Sequence, residues 1–306
     1  MTTERASPQN LPGTSLILCS RNRPKLLLEC VRSVLQGDEV PTELIVVDDS
    51  DTRNSDLESL VTSRPCEIRY LWMRSIGLSR ANNDGIAAAK HDILVFTQDD
   101  ALVAPGWFGA IVRSLIEAGQ QSVVTGRVPP GEPEVEGGFA PSTKSDVRPE
   151  VYRGRIAADV LYVQNMAIYK SAIERIGAFD QRLGPGTAFP GAEDNDFGYR
   201  LLEAGYHILY EPRAVTYHRA WRPKGNHLSL HWGYARAQGG FYAKYLSLTD
   251  RYMLHRMGHD LKHHLVELMR PVWRGHLLPA MHLVYLFGLI YGAGYWLVFT
   301  QRRARS

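Results

Sequence analysis

Cysteine is scarce in this chain. Cys19, Cys30 and Cys66 are spread over 306 positions with no metal-binding spacing. That excludes a disulfide framework and fits a reducing cytoplasm. Cys19 and Cys30 stand in apolar periodic segments and read as small core residues. No glycine-rich phosphate loop of the dinucleotide or P-loop kind precedes a helix, so a bound nucleotide would hold its phosphates through a metal rather than a glycine nest. Residues 1–13 are polar, with two prolines and no apolar signal-peptide core, and read as a short disordered lead. Acids are scarce at the far end: residues 221–306 carry 12 Lys/Arg against 3 Asp/Glu, while residues 1–220 carry 23 against 29. A basic tail on an acidic body points to an anionic contact, either a membrane surface or a polyanion.

What is present starts with Ile93 to Thr97, a β-branched and aromatic run that ends in Gln98-Asp99-Asp100. Ser15 to Ser20 is an earlier strand, followed by Arg21-Asn22-Arg23-Pro24 and a helix from Lys25 to about Leu35, with Pro24 suited to a first helical position. Glu43 to Val47 is a second, almost continuously apolar strand, and it too ends in acids, Asp48-Asp49. A third strand is expected over Glu67 to Met73 and a helix over Ser79 to Ala89. This alternation predicts a mostly parallel α/β sheet flanked by helices. Such sheets bind ligands outside the carboxyl ends of their strands, where both acidic pairs stand. Carboxylate oxygens suit Mg²⁺ or Mn²⁺, although a single acidic strand end reads equally well as a solvated loop.

Pro105 opens a helix to about Ala118, and Ser122 to Arg127 is a strand. Residues 128–150, rich in Pro, Gly and Glu, read as a mobile loop, either a plain insertion or a lid. Strands are expected over Val160 to Tyr169, Tyr206 to Glu211 and Ala214 to His218. Between them, Glu193, Asp194 and Asp196 crowd the first turn of a helix that runs to Ala204. The macrodipole favours acids there by ~0.3–1 kcal/mol each. Three acids next to two turn glycines exceed what capping needs.

The chain resembles the inverting family 2 glycosyltransferases of GT-A fold over roughly residues 14 to 220. The resemblance rests on seven pieces in order: Cys19 to Pro24, Glu43 to Asp49, Gly77 to Ile86, Phe96 to Asp100, Gln164 to Ala167, Ile176 to Asp180, and Glu193 to Arg200 running on to His218. It implies nucleotide contacts at Asp48, Asp49, Arg80, Asp99, Arg21 and Asn165. It implies a divalent cation held by Asp100 and His218, and a catalytic base at Asp194 with Glu193 beside it. The chain departs from the family's pattern twice. Gln98 stands where the first acid of the D-x-D-type motif is expected, and Asn82 replaces an arginine in the Gly77–Gly85 segment.

Residues 221–306 follow a different pattern. Helices are expected over Leu228 to Leu246 and from Asp250 to about Trp273. Leu283 to Thr300 then contains no Asp, Glu, Lys, Arg or His over 18 residues. That length just suffices to span a bilayer, suits a helix lying in the interface, and also suits one docked on the catalytic domain. The apolar run favours lipid over nucleic acid as the partner of the tail, at the cytoplasmic face of the cell membrane. The Q-x-x-R-W motif of processive synthases is missing, which favours a single addition to a glycan or lipid-linked acceptor. A nucleotidyltransferase on a similar sheet is the alternative, although such enzymes usually open with a glycine-rich loop that is lacking here.

Overall fold

All side chains of Thr14–Ser20 (β1) and Glu43–Asp48 (β2) are buried, as apolar runs must be when helices cover both faces of a parallel sheet. The computed structural model describes residues 11–60, 62–74, 76–269 and 278–300. Most of the expected lead, the end of the helix expected to about Trp273, and residues 270–277 and 301–306 of the tail as a whole lie outside the described residues. After β1 come α1 (Pro24–Leu35), β2, the one-turn α2 (Ser55–Glu58), β3 (Glu67–Trp72), α3 (Leu78–Ala88), β4 (Ile93–Gln98), β5 (Ala101–Val103) and α4 (Trp107–Ala118). Then follow β6 (Ser122–Arg127), β7 (Glu150–Tyr152), β8 (Met166–Tyr169), α5 (Lys170–Ile176), α6 (Glu193–Glu203), β9 (His207–His218), α7 (His227–Lys244), α8 (Tyr252–Met269) and α9 (Leu278–Tyr295).

The strands lie in the order β3-β2-β1-β4-β8-β6-β9-β5, with β7 also on β9. β3, β2, β1 and β4 are mutually parallel. β8 enters antiparallel between β4 and β6, and β6 runs parallel to β9, giving a mixed α/β sheet. Two apolar layers sandwich it. Leu27, Cys30 and Val31 of α1 pack with Trp107, Ile111 and Leu115 of α4 on one face. Ala81 and Ile86 of α3, Ile173 of α5, and Phe197 and Leu201 of α6 cover the other.

The sheet differs from expectation where side chains override propensity. Val160 to Asn165 is not strand: its last residues form a 3₁₀ turn. Asn165 is fully buried and spends its carboxamide on the fold, accepting from Trp107 Nε1 at 2.7 Å and donating to the carbonyls of Arg127 and Ala214. The two strands expected over 206–218 are one strand with a break in register. Gly126 faces Glu211 and Arg127 faces Val215, so the residues around Pro212 are skipped. Loop 128–150 is pinned by pairing of Val128 with Lys144 and of Phe139 with Arg222.

α7 and α9 pack through small residues. A Cβ on Gly292 would lie 2.0 Å from the Arg236 carbonyl oxygen, and one on Gly239 would lie 2.1 Å from that of Leu289. Only glycine admits this approach. Past α9, Trp296 is buried against Phe189, with Arg182 over its ring. The other flank of α9 faces outward through Leu283, Phe287 and Ile290.

Candidate active site

A cleft of about 810 Å³ opens at the carboxyl ends of the parallel strands. Asp49, Asp99, Asp100, His218, Glu193 and Asp194 all line it, although they come from four separate stretches of chain. Short-range pairing explains part of this convergence. β5 is antiparallel to β9 with Ala101 opposite His218, and the Arg219 amide donates to the Asp100 carbonyl at 2.7 Å. The sheet therefore places the last acid of one strand end beside the last residue of another.

Asp99 and Asp100 are both buried. Asp99 accepts from the Ser20 hydroxyl at 2.8 Å and from Arg23 Nη1 at 3.1 Å, and the same Arg23 nitrogen donates to Asp100 Oδ2 at 2.8 Å. Burial first, and the Asp100 charge second, push the Asp99 carboxyl up to about 6, against the pull of Arg23 and Ser20. Asp100 Oδ1 is buried without a hydrogen-bond partner. It lies 3.7 Å from His218 Nε2. His218 Nδ1 is 2.9 Å from the Pro141 carbonyl, so it carries the proton and leaves Nε2 as a lone pair toward Asp100. Burial, the largest influence, lowers the imidazole's pKa and favours that neutral form. An orphaned carboxylate oxygen facing an imidazole lone pair fits a divalent cation. Among the described residues no three His, Cys, Asp or Glu side chains form a metal cage. Mg²⁺ is nonetheless commonly held by one or two protein ligands completed by substrate phosphates.

Glu193 and Asp194 open α6 behind Ala192, whose φ of +63° is left-handed and strained for a residue with a Cβ. Asp194 Oδ2 accepts from the Val163 amide at 3.3 Å. Both residues are half-buried, yet Asp194 Oδ1 and Glu193 Oε2 are shut from solvent without hydrogen-bond partners. Burial pushes Glu193 up to about 7. Burial, and then the neighbouring Glu193 charge, raise Asp194 well above the usual carboxylate range. A carboxyl tuned upward in this way is suited to accept a proton near neutral pH. Asp196, in the same turn, points away from the cleft and binds Arg200 at 2.9 Å, the Tyr245 hydroxyl at 2.7 Å and Lys244, tying α6 to α7.

Other expected contacts fall in different places. Asp49 lines the cleft, with Arg21 Nη1 3.8 Å from its carboxylate. Asp48 does not reach the cleft surface: it holds the Tyr70 hydroxyl at 2.6 Å and the Ser50 amide at 3.0 Å, shaping the turn that presents Asp49. Asn165 is a fold-bracing residue rather than a cleft residue. Arg80 is exposed on α3, because neighbouring Ser79, Ala81 and Asn82 take the buried face. Gln98 does line the cleft. Sequence reasoning missed Arg23 as the cation between the two aspartates. It also missed Tyr234, Gln238, Asp260 and Tyr285, which bring α7, α8 and α9 to the cleft wall. Arg23 was legible as the second arginine of the Ser20–Pro24 turn. The helix residues carried no signal before the tail's packing was known.

The fold is that of GT-A glycosyltransferases. Over 95% of this chain and 88% of the other, it superimposes with a TM-score of 0.58 and 16% identity on the mannosyltransferase PcManGT of Pyrobaculum calidifontis, solved with GDP-Man and Mn²⁺. S. aureus TarS (1–349) with UDP-GlcNAc matches with a TM-score of 0.54 and 13% identity, covering 94% and 92% of the two chains. The family model "Glycosyl transferase family 2" matches residues 15–177, and the chain belongs to that family. The pre-mycofactocin glycosyltransferase of Mycobacterium tuberculosis is 30% identical over 213 residues, which is 67% of this chain and 42% of that protein. The hyaluronan synthase of Pasteurella multocida is 25% identical over 68% of this chain and 24% of its own. The chain thus spans less than half the length of these two relatives. Membership of that family favours glycosyl transfer over the nucleotidyl transfer considered as the alternative.

Proposed function

We propose that this enzyme is a metal-dependent, inverting glycosyltransferase that moves one sugar from a nucleotide sugar to an acceptor hydroxyl, in cell-envelope or lipid-linked glycan synthesis. The observation that carries this reading is the union, in one cleft, of the Asp100–His218 pair with the carboxylate pair Glu193–Asp194. PcManGT, of the same fold, was solved with GDP-Man and Mn²⁺, and TarS with UDP-GlcNAc. In this reading Asp49 and Arg21 receive the nucleoside, and Arg23 faces the diphosphate. Asp100 and His218 would hold Mg²⁺ or Mn²⁺, which when bound would neutralise charge on the departing diphosphate. Asp194 takes the proton from the acceptor hydroxyl as the new bond forms, a role worth typically ~10²–10⁴-fold. Glu193 keeps the Asp194 carboxylate basic by its charge.

The α9 helix supports contact with the inner face of the cell membrane. One flank is occupied by α7 and the other is apolar and exposed, an arrangement that suits a helix lying on a bilayer better than one crossing it. The deciding experiment incubates the full chain with UDP- and GDP-sugars, Mn²⁺ and a glycoside acceptor. Release of nucleoside diphosphate with an inverted anomeric centre is expected. Retention of configuration, or transfer that EDTA leaves untouched, overturns the mechanism.

A further inference from the structure

The segment that enters α6 is held from two sides. Residues 183–192 lead into the helix, and Pro190, Gly191 and Ala192 line the cleft just before Glu193 and Asp194. The first half of this segment rests on α3. The Ser79 hydroxyl donates to the Leu183 carbonyl at 2.7 Å, and the Leu78 amide donates to that of Pro185 at 3.0 Å. The second half closes on itself, with the Gly184 and Gly191 amides both donating to the Phe189 carbonyl at 2.8 Å. The Phe189 side chain turns the other way, into the C-terminal helices, and is buried there.

A Cβ on Gly240 of α7 would lie 2.5 Å from the Phe189 ring, so the missing side chain there makes room for it. Trp296, the first residue past α9, closes the seat. Its ring meets that of Phe189 edge-on, with centroids 5.1 Å apart, and it is only 2% exposed. The Arg182 guanidinium lies 4.4 Å above the Trp296 ring and donates to Asp180 at 2.6 Å, so Trp296 also touches the entry to the same segment. Leu183, Phe189, Ala237 and Trp296 belong to one buried cluster, and Ala192 packs against it.

Ala192 stands at φ +63°, and a residue so strained persists only where its surroundings over-determine it. The carboxylates that follow have few bonds of their own. Asp194 Oδ2 accepts from the Val163 amide, while Asp194 Oδ1 and Glu193 Oε2 have no partner. Their aim is therefore set by the backbone turn. Downstream, Asn195 ties that turn to Gln238 of α7 at 2.7 Å. Upstream, the apolar seat holds it. We infer that Trp296 is a positioning residue for the Glu193–Asp194 pair, acting through Phe189 and Ala192 and touching no reactant. This rests on the reading of Asp194 as the base. A Trp296 that only stabilised the fold would leave each folded molecule as fast as before. A positioning Trp296 alters kcat, while the strand-end half of the cleft, which it does not touch, keeps its nucleotide.

The test uses the full chain with Mn²⁺, the UDP- or GDP-sugar it turns over and a glycoside acceptor, well below the melting temperature of every variant. Trp296→Leu should lower kcat about tenfold or more, while the Kd of UDP or GDP with Mn²⁺ stays within about twofold. Trp296→Phe, which keeps a ring against Phe189, should fall between. Ala192→Gly added to Trp296→Leu should recover part of the lost kcat, because glycine takes the positive φ without strain. Circular dichroism confirms that each variant is folded; if Trp296→Leu is not, the same comparison is made on Trp296→Phe. An unchanged kcat, a kcat loss matched by loss of nucleotide binding, or no recovery with glycine overturns the inference. Full transfer by Asp194→Asn, or no turnover by the unaltered enzyme, instead condemns the reading beneath it.

Discussion

Asp100 Oδ1 and His218 Nε2 face each other across 3.7 Å, the one a buried acceptor without a donor and the other a lone pair fixed by the Pro141 carbonyl. Two acceptors so placed repel unless a proton or a cation lies between them. Addition of Mn²⁺ with UDP or GDP should therefore raise the melting temperature more than either component alone. Asp100→Ala should abolish that synergy. His218→Ala should weaken metal-dependent nucleotide binding by about tenfold, roughly 1.4 kcal/mol. Full synergy in both variants would place the cation elsewhere.

Arg23 answers for much of what Gln98 withholds. A neutral side chain at the first motif position leaves Asp99 and Asp100 with Arg23 as their common counter-ion. Arg23→Met should lower stability by about 1–3 kcal/mol, less than the ~3–5 kcal/mol of a fully buried pair because the arginine is 39% exposed and screened by solvent. Mn²⁺ with nucleoside diphosphate should recover part of this loss, since a second cation then meets the carboxylates. Gln98→Asp in the Arg23→Met background should deepen the defect without metal and relieve it with metal. Differential scanning fluorimetry reads all four states, and metal-independent melting of Arg23→Met would refute the counter-ion role.

As the proposed base, Asp194 would set activity against stability. A carboxyl whose pKa is raised in the folded state binds more protons there than in the unfolded chain. The fold is therefore favoured below the unfolded value near 4, and that contribution is lost as pH climbs through the window up to the folded pKa. Glu193, pushed up to about 7, follows the same sign. At neutral pH, Asp194→Asn should abolish transfer by ~10²-fold or more while raising the melting temperature by roughly 2 °C or more. The gain should vanish near pH 4. A melting temperature that falls at pH 7 would show that the carboxylate braces the fold rather than burdening it.

The family, the strand-end acids and the acidic turn at α6 were legible because each is local: an apolar run, a motif, a helix start. The pairing that makes them a site was not. β5 is three residues long, yet its register with β9 brings Asp100 to His218. Asn165 and Asp48 bore the family's pattern but are spent on Trp107 and Tyr70, contacts fixed by packing rather than by sequence distance. The helices α7 to α9 read as a tail, since nothing in their spacing revealed that Gly239, Gly288 and Gly292 let α9 press onto α7 and carry Tyr285 to the cleft.

That docking sharpens the choice among a spanning, an interfacial and a purely structural α9. Phe287 is 66% and Ile290 62% exposed, one helical turn apart on the flank away from α7. Neither stabilises the fold much, so Phe287→Ser with Ile290→Ser should leave the melting temperature within about 1 °C, as surface changes usually do. If this flank rests on lipid, burying two such side chains even partly is worth about 1–2 kcal/mol. The double variant should then bind anionic phospholipid vesicles about tenfold more weakly than the unaltered chain in a sedimentation assay. The full-length protein should also lose vesicle binding as salt rises, because the basic tail adds a screened attraction. Vesicle binding that ignores both changes would move the contact off α9, and an unaltered chain that never sediments with vesicles would leave α9 with a structural role alone.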